Sequence, residues 1–185
     1  AYAVGNNSAA SADGAMVLGS SPSVTGKNGV ALGNNTKVAN ENAVAIGNGS
    51  ETAAAVATPS ATINGVTHNF AGVNPASTVS VGKAGAERTI TNVAAGRISA
   101  ASTDAINGSQ LYNTASSVKT ILGSSTTLNA DGTLTASNIG GTGENTVDGA
   151  ISAVADMTKA PITFVGDDGT TGVDVPLGNQ LNILG

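Results

Sequence analysis

Four short apolar segments, each closed by a glycine, recur every 14 residues. They are Ala1-Tyr2-Ala3-Val4-Gly5, Ala15-Met16-Val17-Leu18-Gly19, Gly29-Val30-Ala31-Leu32-Gly33 and Ala43-Val44-Ala45-Ile46-Gly47. A fixed period of this kind marks a stacked repeat architecture, in which each unit buries its apolar face only against its neighbours. Stacking builds a surface rather than a pocket. The first expectation is therefore a structural or binding protein, not an enzyme.

Aligned on the glycine, the segments form columns. Tyr2, Met16, Val30 and Val44 stand three places before it, and Val4, Leu18, Leu32 and Ile46 one place before it. Between them lie the smaller Ala3, Val17, Ala31 and Ala45. Alternation with period two is a strand signal. Neither face carries charge, so both are expected to be covered: the large columns fill the core of the repeat, and the small ones pack against another surface. Asn, Ser and Gly follow each closing glycine and suit tight turns. A weaker column, Ala10, Val24, Val38 and Thr52, predicts a second, shorter strand per repeat. Two strands and two turns per unit describe a β-roll, a flattened parallel solenoid. Two heptads also make 14 residues, but Gly and Asn in every repeat disfavour a helix. A calcium-binding roll lacks its aspartates, since Asp13 is the only one in the first 60 residues.

The composition points the same way. Of 185 residues, aromatics make up 2% and charged residues 10%, so Ala, Val and Ile must fill thin core layers. Each layer buries little, which favours an obligate oligomer. The low charge and strict period oppose disorder. A net charge of −5 without a basic cluster disfavours nucleic acid. The absence of cysteine fits a surface protein without requiring one. There is no signal peptide and no apolar run long enough to cross a bilayer, so no direct membrane insertion is expected. The pattern is already under way at Ala1 and unfinished at Gly185, as in a piece of something longer.

The period breaks after Ser50. Residues 51–78 read as an inserted hairpin or loop, after which Thr78-Val79-Ser80-Val81-Gly82 restores the repeat signature, with Val79 and Val81 in the large columns. Residues 83–102 read as irregular extended chain. A helix is predicted from about Thr103, with Ser102 or Thr103 as cap and Asp104 favouring its positive end. Leu111, Ala115, Val118 and Leu122 follow coiled-coil spacing, and Gly123 stops the helix. Leu128 and Leu134 are isolated strand candidates. A second helix, Thr146 to about Thr158, carries the seam Val147, Ile151 and Val154 and ends at Pro161. Residues 162–165 read as a strand, Asp167-Asp168-Gly169 as a turn, and Leu177–Ile183 as the start of a further element. Helices this short need partners.

Repeats such as Ala43-Val44-Ala45-Ile46-Gly47-Asn48-Gly49-Ser50 resemble the head repeats of trimeric autotransporter adhesins of Gram-negative bacteria. Residues 87–96 followed by 103–112 resemble that family's neck, and Val66–Val81, with His68-Asn69-Phe70-Ala71-Gly72, its head insert. Residues 145–157 and 161–185 are similar to stalk segments and the start of another module. The resemblance implies a mainly β fold with short coiled-coil helices: a trimeric left-handed parallel β-roll head, a neck, and parallel three-stranded coiled-coil stalk segments. It divides the chain into head repeats (1–58), insert and last head strand (59–82), neck (83–112), stalk segments with a connector (113–160) and a further head or connector module (161–185). The partners implied are two more copies of the chain and a host cell-surface or extracellular-matrix protein. The location implied is the bacterial surface, with an outer-membrane anchor beyond this piece. Asn42-Ala43 stands where collagen-binding members carry Asn-Ser, which speaks against collagen.

The residues expected to matter are therefore structural: the large columns Val4, Leu18, Leu32, Ile46, Val30, Val44, Val79 and Val81; the turn glycines Gly5, Gly19, Gly33, Gly47 and Gly82; and, in neck and seam, Asp104, Asn107, Gln110, Leu111, Ala115, Val118, Leu122, Val147, Ile151 and Val154. No catalytic, cofactor or metal residue is expected. His68 is the only histidine, Asp167-Asp168-Gly169 lacks calcium-loop spacing, and Gly140-Gly141-Thr142-Gly143 lacks the lysine of a phosphate loop. Asp13, Glu41 and Glu51 form no glycosidase-like pair. Adhesion is the leading expectation. A non-binding spacer of the fibre comes second, and a polysaccharide-cleaving solenoid is a distant third.

Overall fold

The computed structural model describes residues 1–167, 169–170 and 172–180. They form two compact units, Ala1–Ile106 and Asn107–Gly185. In the first, three-residue strands β1 (Tyr2–Val4), β3 (Met16–Leu18), β5 (Val30–Leu32) and β7 (Val44–Ile46) alternate with two-residue strands β2 (Ala9–Ala10), β4 (Ser23–Val24) and β6 (Lys37–Val38). A hairpin of β8 (Ser60–Ile63) and β9 (Val66–Asn69) follows, then β10 (Val79–Ser80). The longer strands stack in parallel in the order β1-β3-β5-β7-β10, and the short ones form a parallel sheet β2-β4-β6. Each step between repeats pairs residues 14 apart, as in Met16↔Val30↔Val44. The repeats of the first unit thus form a parallel β-solenoid with two sheets and two turns per coil.

The turns explain the Gly and Asn columns. Asn7, Ser21 and Asn35 hold φ of 51, 53 and 54°, and Gly14, Asn28 and Asn42 hold 68, 55 and 58°, in the left-handed region that these residue types favour. At Gly5, Gly19 and Gly33 the next coil's backbone also leaves no space for a side chain. A Cβ on Gly19 would lie 2.4 Å from the Gly33 carbonyl oxygen, and one on Gly33 would lie 2.7 Å from the Gly47 carbonyl carbon. Gly82 departs from this column. Its φ lies outside the left-handed region of the other four, and its missing side chain makes room for the Ala86 carbonyl, 2.7 Å from where a Cβ would stand.

The interior corrects the expected core. The hydrophobic core cluster is Ala15, Val17, Val24, Ala31, Val38, Ala43 and Ala45, drawn from the small columns and the short-strand column. Val4, Leu18, Ile46 and Val79 stand exposed on the outer face, and Val30, Leu32, Val44 and Val81 are half-buried. The physical reason is thickness. With only two- and three-residue strands bounding each coil, the space between the sheets admits Ala and Val but not two facing layers of Leu and Ile. Fully buried hydroxyls close the corners: Thr36 Oγ1 donates to Gly33 O at 3.0 Å and Ser50 Oγ to Ile46 O at 2.7 Å.

The inserted hairpin turns at Asn64-Gly65, whose φ values of 48 and 77° fit a two-residue loop with both central residues left-handed. At its base Thr78 Oγ1 donates to Ala53 O at 2.8 Å, and the chain then rejoins the solenoid with Val79 opposite Val44. Residues 83–106 carry no helix and only one isolated bridge, Lys83↔Ala86.

In the second unit, α1 (Gly108–Leu122) leads into an antiparallel hairpin of β11 (Thr126–Leu128) and β12 (Leu134–Ala136), so the two isolated leucines belong to paired strands, Leu128 opposite Leu134. A short 3-10 turn over Ile139–Gly141 precedes α2 (Val147–Lys159), and β13 (Ile162–Val165) pairs antiparallel with β14 (Gly172–Val175). Asp168 of the expected turn, and Leu181–Ile183 of the expected terminal element, lie outside the described residues.

Candidate functional site

The side chains expelled from the solenoid interior form two parallel rows on the outer face of its longer sheet. Tyr2, Met16, Val30, Val44 and Val79 align in one row, and Val4, Leu18, Leu32 and Ile46 in the other. The rows are close because strands in a sheet are spaced about 4.8 Å apart and same-face residues are two positions apart. Neither row contains a charge. Met16 is 48% exposed, Leu18 54% and Val79 67%, far above what a large apolar side chain in a core retains. Burying one such side chain fully stabilises by roughly 1.5–3 kcal/mol. A continuous apolar stripe of this kind is the mark of an interaction surface. This reverses the expected assignment of faces, in which the small columns met a neighbour.

The helical residues expected to form seams are similarly open. Leu111 is exposed to 69%, and Val118, Leu122, Val147, Ile151 and Val154 also lie exposed, while Ala115 is half-buried. α1 has 15 residues, near the lower limit for a helix that holds itself in water. Its start differs from the expectation. The N-cap is Asn107, not Ser102 or Thr103. The Asn107 side chain accepts from the Gln110 N–H at 3.4 Å, and the Gln110 side-chain oxygen accepts from the Asn107 N–H at 3.3 Å, a reciprocal capping box. The cap of α2 is Thr146, whose hydroxyl accepts from the Gly149 N–H at 3.0 Å.

Asp104 consequently sits before the helix and has a different partner. Its carboxylate accepts from Arg97 Nε at 2.8 Å, Arg97 Nη2 at 3.1 Å and the Arg97 backbone N–H at 3.0 Å. The guanidinium, then the backbone donor, hold the carboxyl below its ordinary range. Gly96 is pressed into this clasp, where a Cβ would lie 2.2 Å from Ala105 O. Sequence reasoning singled out Asp104 but missed Arg97. The spacing of seven residues between opposite charges was the available signal.

The carboxylates considered for sugar cleavage are dispersed. Glu51 is held by Lys37 at 3.0 Å, with Lys83 at 3.9 Å, and this lowers its pKa through the Lys37 hydrogen bond first. His68 lies exposed on the inserted hairpin, opposite Ala61. Among the described residues, no group of His, Cys, Asp and Glu converges as metal ligands would.

Comparison with known proteins agrees with this architecture. Residues 1–21 and 25–50 match two copies of the YadA head domain repeat. Residues 89–134 match the coiled stalk of trimeric autotransporter adhesin. The trimeric autotransporter adhesin AtaA of Acinetobacter sp. (strain Tol 5) is 49% identical over 106 residues, covering 50% of this chain and 3% of that protein. The autotransporter adhesin BtaE of Brucella suis biovar 1 (strain 1330) is 68% identical over 62 residues, 34% of this chain and 8% of that protein. Autotransporter adhesin EhaG of Escherichia coli O157:H7 is 54% identical over 66 residues, 36% of this chain and 4% of that protein. The chain thus spans 3 to 8% of the length of these curated relatives. Among solved structures, the C-terminal YadA-like domain of BPSL2063 from Burkholderia pseudomallei aligns with a TM-score of 0.53 and 54% identity, over 55% of this chain and 48% of that one.

Proposed function

The chain belongs to the trimeric autotransporter adhesins, and from that membership we propose that it works as one of three identical strands in a bacterial surface fibre that attaches to host cells or extracellular matrix. The observation that carries the trimer is the pair of outward apolar rows. A ring of three requires each chain to offer two different patches to its two neighbours. The two rows, Tyr2 to Val79 and Val4 to Ile46, are the apolar surface from which those contacts would be made. The exposed rows Leu111-Ala115-Val118-Leu122 and Val147-Ile151-Val154 would supply a like contact between parallel helices of the three chains.

Adhesion would then come from multiplicity. Three copies of a weak contact, repeated along the solenoid at each coil, raise avidity without a deep pocket. If the outward rows are spent between chains, the surface left for a ligand is the short-strand sheet, the turns and the inserted hairpin. The full protein would stand on the cell surface, anchored in the outer membrane by a region beyond this chain. The test is attachment of the purified chain to a panel of immobilised matrix proteins and to host-cell monolayers, at low and high salt. Saturable binding to one of these supports adhesion by this segment. A folded trimer that binds none of them assigns it to spacing instead.

A further inference from the structure

The solenoid leaves an unfinished edge, and one side chain completes it. Along the coils the backbone forms regular ladders. Gly19, Gly33 and Gly47 donate their N–H groups to Val4, Leu18 and Leu32 O at 2.9, 2.8 and 2.7 Å. Ser21, Asn35 and Gly49 donate to Asn6, Ser20 and Asn34 O at 2.9, 2.9 and 2.8 Å. The next acceptors in these ladders are Ile46 O and Asn48 O. After the insert the chain returns in register for only two residues, Val79 against Val44 and Ser80 against Ala45. Gly82 then turns its N–H to Ser80 Oγ, at 3.4 Å, and Ile46 O is taken by Ser50 Oγ. Asn48 O is reached instead by Nη2 of Arg88.

The same guanidinium donates from Nη1 to Ser50 Oγ at 2.9 Å and to Val81 O. It also fills the space of the missing coil. A Cβ on Gly33 would meet the Gly47 backbone, whereas one on Gly47 would meet Arg88 Cζ at 3.2 Å. A guanidinium is flat, delocalised and rich in N–H donors, so it can occupy the position of a peptide group at the end of a ladder. Its three acceptors belong to two segments that the insert separates in sequence: Asn48 and Ser50 in the last full coil, and Val81 in the returning strand.

We infer that Arg88 is the terminal cap of the solenoid, standing in for the turn of a further coil and fastening the returning strand to the last full one across the insert. Repeat proteins need a distinct terminal unit because an open coil end exposes unpaired backbone. Here one side chain from the start of the neck supplies it, so the insert can lie outside the stack without loosening its end.

The test is amide hydrogen exchange, followed by mass spectrometry, on the whole chain and its Arg88→Met and Arg88→Lys variants. Peptides over residues 44–51 and 79–83 should exchange roughly ten- to hundredfold faster in Arg88→Met, the range expected when charge-assisted hydrogen bonds are lost. Peptides over residues 16–33 should be unchanged. Arg88→Lys keeps the charge but not the planar fork and should restore little of the protection. Should Arg88→Met not fold, the same comparison is made with Arg88→Lys alone. Unchanged exchange at 44–51, or an equal rise in every coil, overturns the assignment.

Discussion

Both oxygens of the Asp104 carboxylate are engaged by Arg97, which donates from Nε at 2.8 Å and from its backbone N–H at 3.0 Å to Oδ2, and from Nη2 at 3.1 Å to Oδ1. The pair closes the chain on itself a few residues before α1 begins, with Asp104 N–H donating back to Ser102 Oγ at 3.2 Å. The Arg97 side chain is largely exposed, so the clasp sets local geometry more than global stability.

This predicts a local acid transition. The Asp104 carboxyl is held below its ordinary value of 3.8, so its contribution is complete above that value and disappears as pH falls through the lowered folded one. The backbone N–H and Nε–H resonances of Arg97 should therefore titrate with a midpoint below 3.8, and Asp104→Asn should abolish that titration. A midpoint at or above the ordinary value would show that the clasp does not form in solution.

The inward and outward columns should respond oppositely to size. Ala31→Leu or Ala45→Leu forces a large side chain between two sheets that leave no room for it, since both alanines are fully buried. Overpacking of this kind destabilises by about 1–3 kcal/mol or prevents folding. Leu18→Ala and Leu32→Ala, in the outward row, should leave the fold of the coil intact and act on association. Circular dichroism melts at low and high protein concentration separate the two. A concentration-independent loss on Leu18→Ala would place that side chain in the core after all.

Gly33→Ala tests the stacking of the closing glycines. Gly33 has φ 134° and the Gly47 carbonyl carbon 2.7 Å from where a Cβ would sit, so both backbone strain and collision act together. The variant should melt well below the parent, whereas Gly49→Ala should lose less, because nothing lies within 4 Å of a Cβ there and only the left-handed backbone is strained. Equal losses at the two sites would remove the collision from the account.

Asn107→Ala removes the capping side chain of α1 and should lower helix stability by about 1 kcal/mol, while Ser102→Ala should leave it unchanged. Helical ellipticity across a melt checks this. A larger effect from Ser102 would restore the earlier helix start.

The repeat, its two strands per coil, the insert and the return at Val79 were all legible in the sequence, because a strict period repeats one local rule four times. Which column lies inside was not. Alternation says that two faces differ, but large residues inside is a rule for thick cores, and this core is one side chain deep between strands of two and three residues. Val17, Ala31 and Ala45 fit there, while Leu18 and Leu32 do not. The start of α1 was misplaced because Thr103-Asp104 and Asn107-Gly108-Ser109-Gln110 both carry cap chemistry, and only the latter closes a reciprocal box. Arg88 and Arg97 escaped notice because their acceptors, Asn48 O and Asp104, are defined by the fold rather than by any local motif.

The outward rows are proposed to join three chains. Light scattering across a dilution series, on the chain and on Leu18→Lys/Leu32→Lys, tests it most directly. The parent should hold a mass of about three times 17.7 kDa through dilution. The double variant should lose that mass or dissociate at far higher concentration, because two lysines would be buried without partners. A parent that is folded and monomeric throughout, or a double variant that stays trimeric with unchanged stability, would contradict the account.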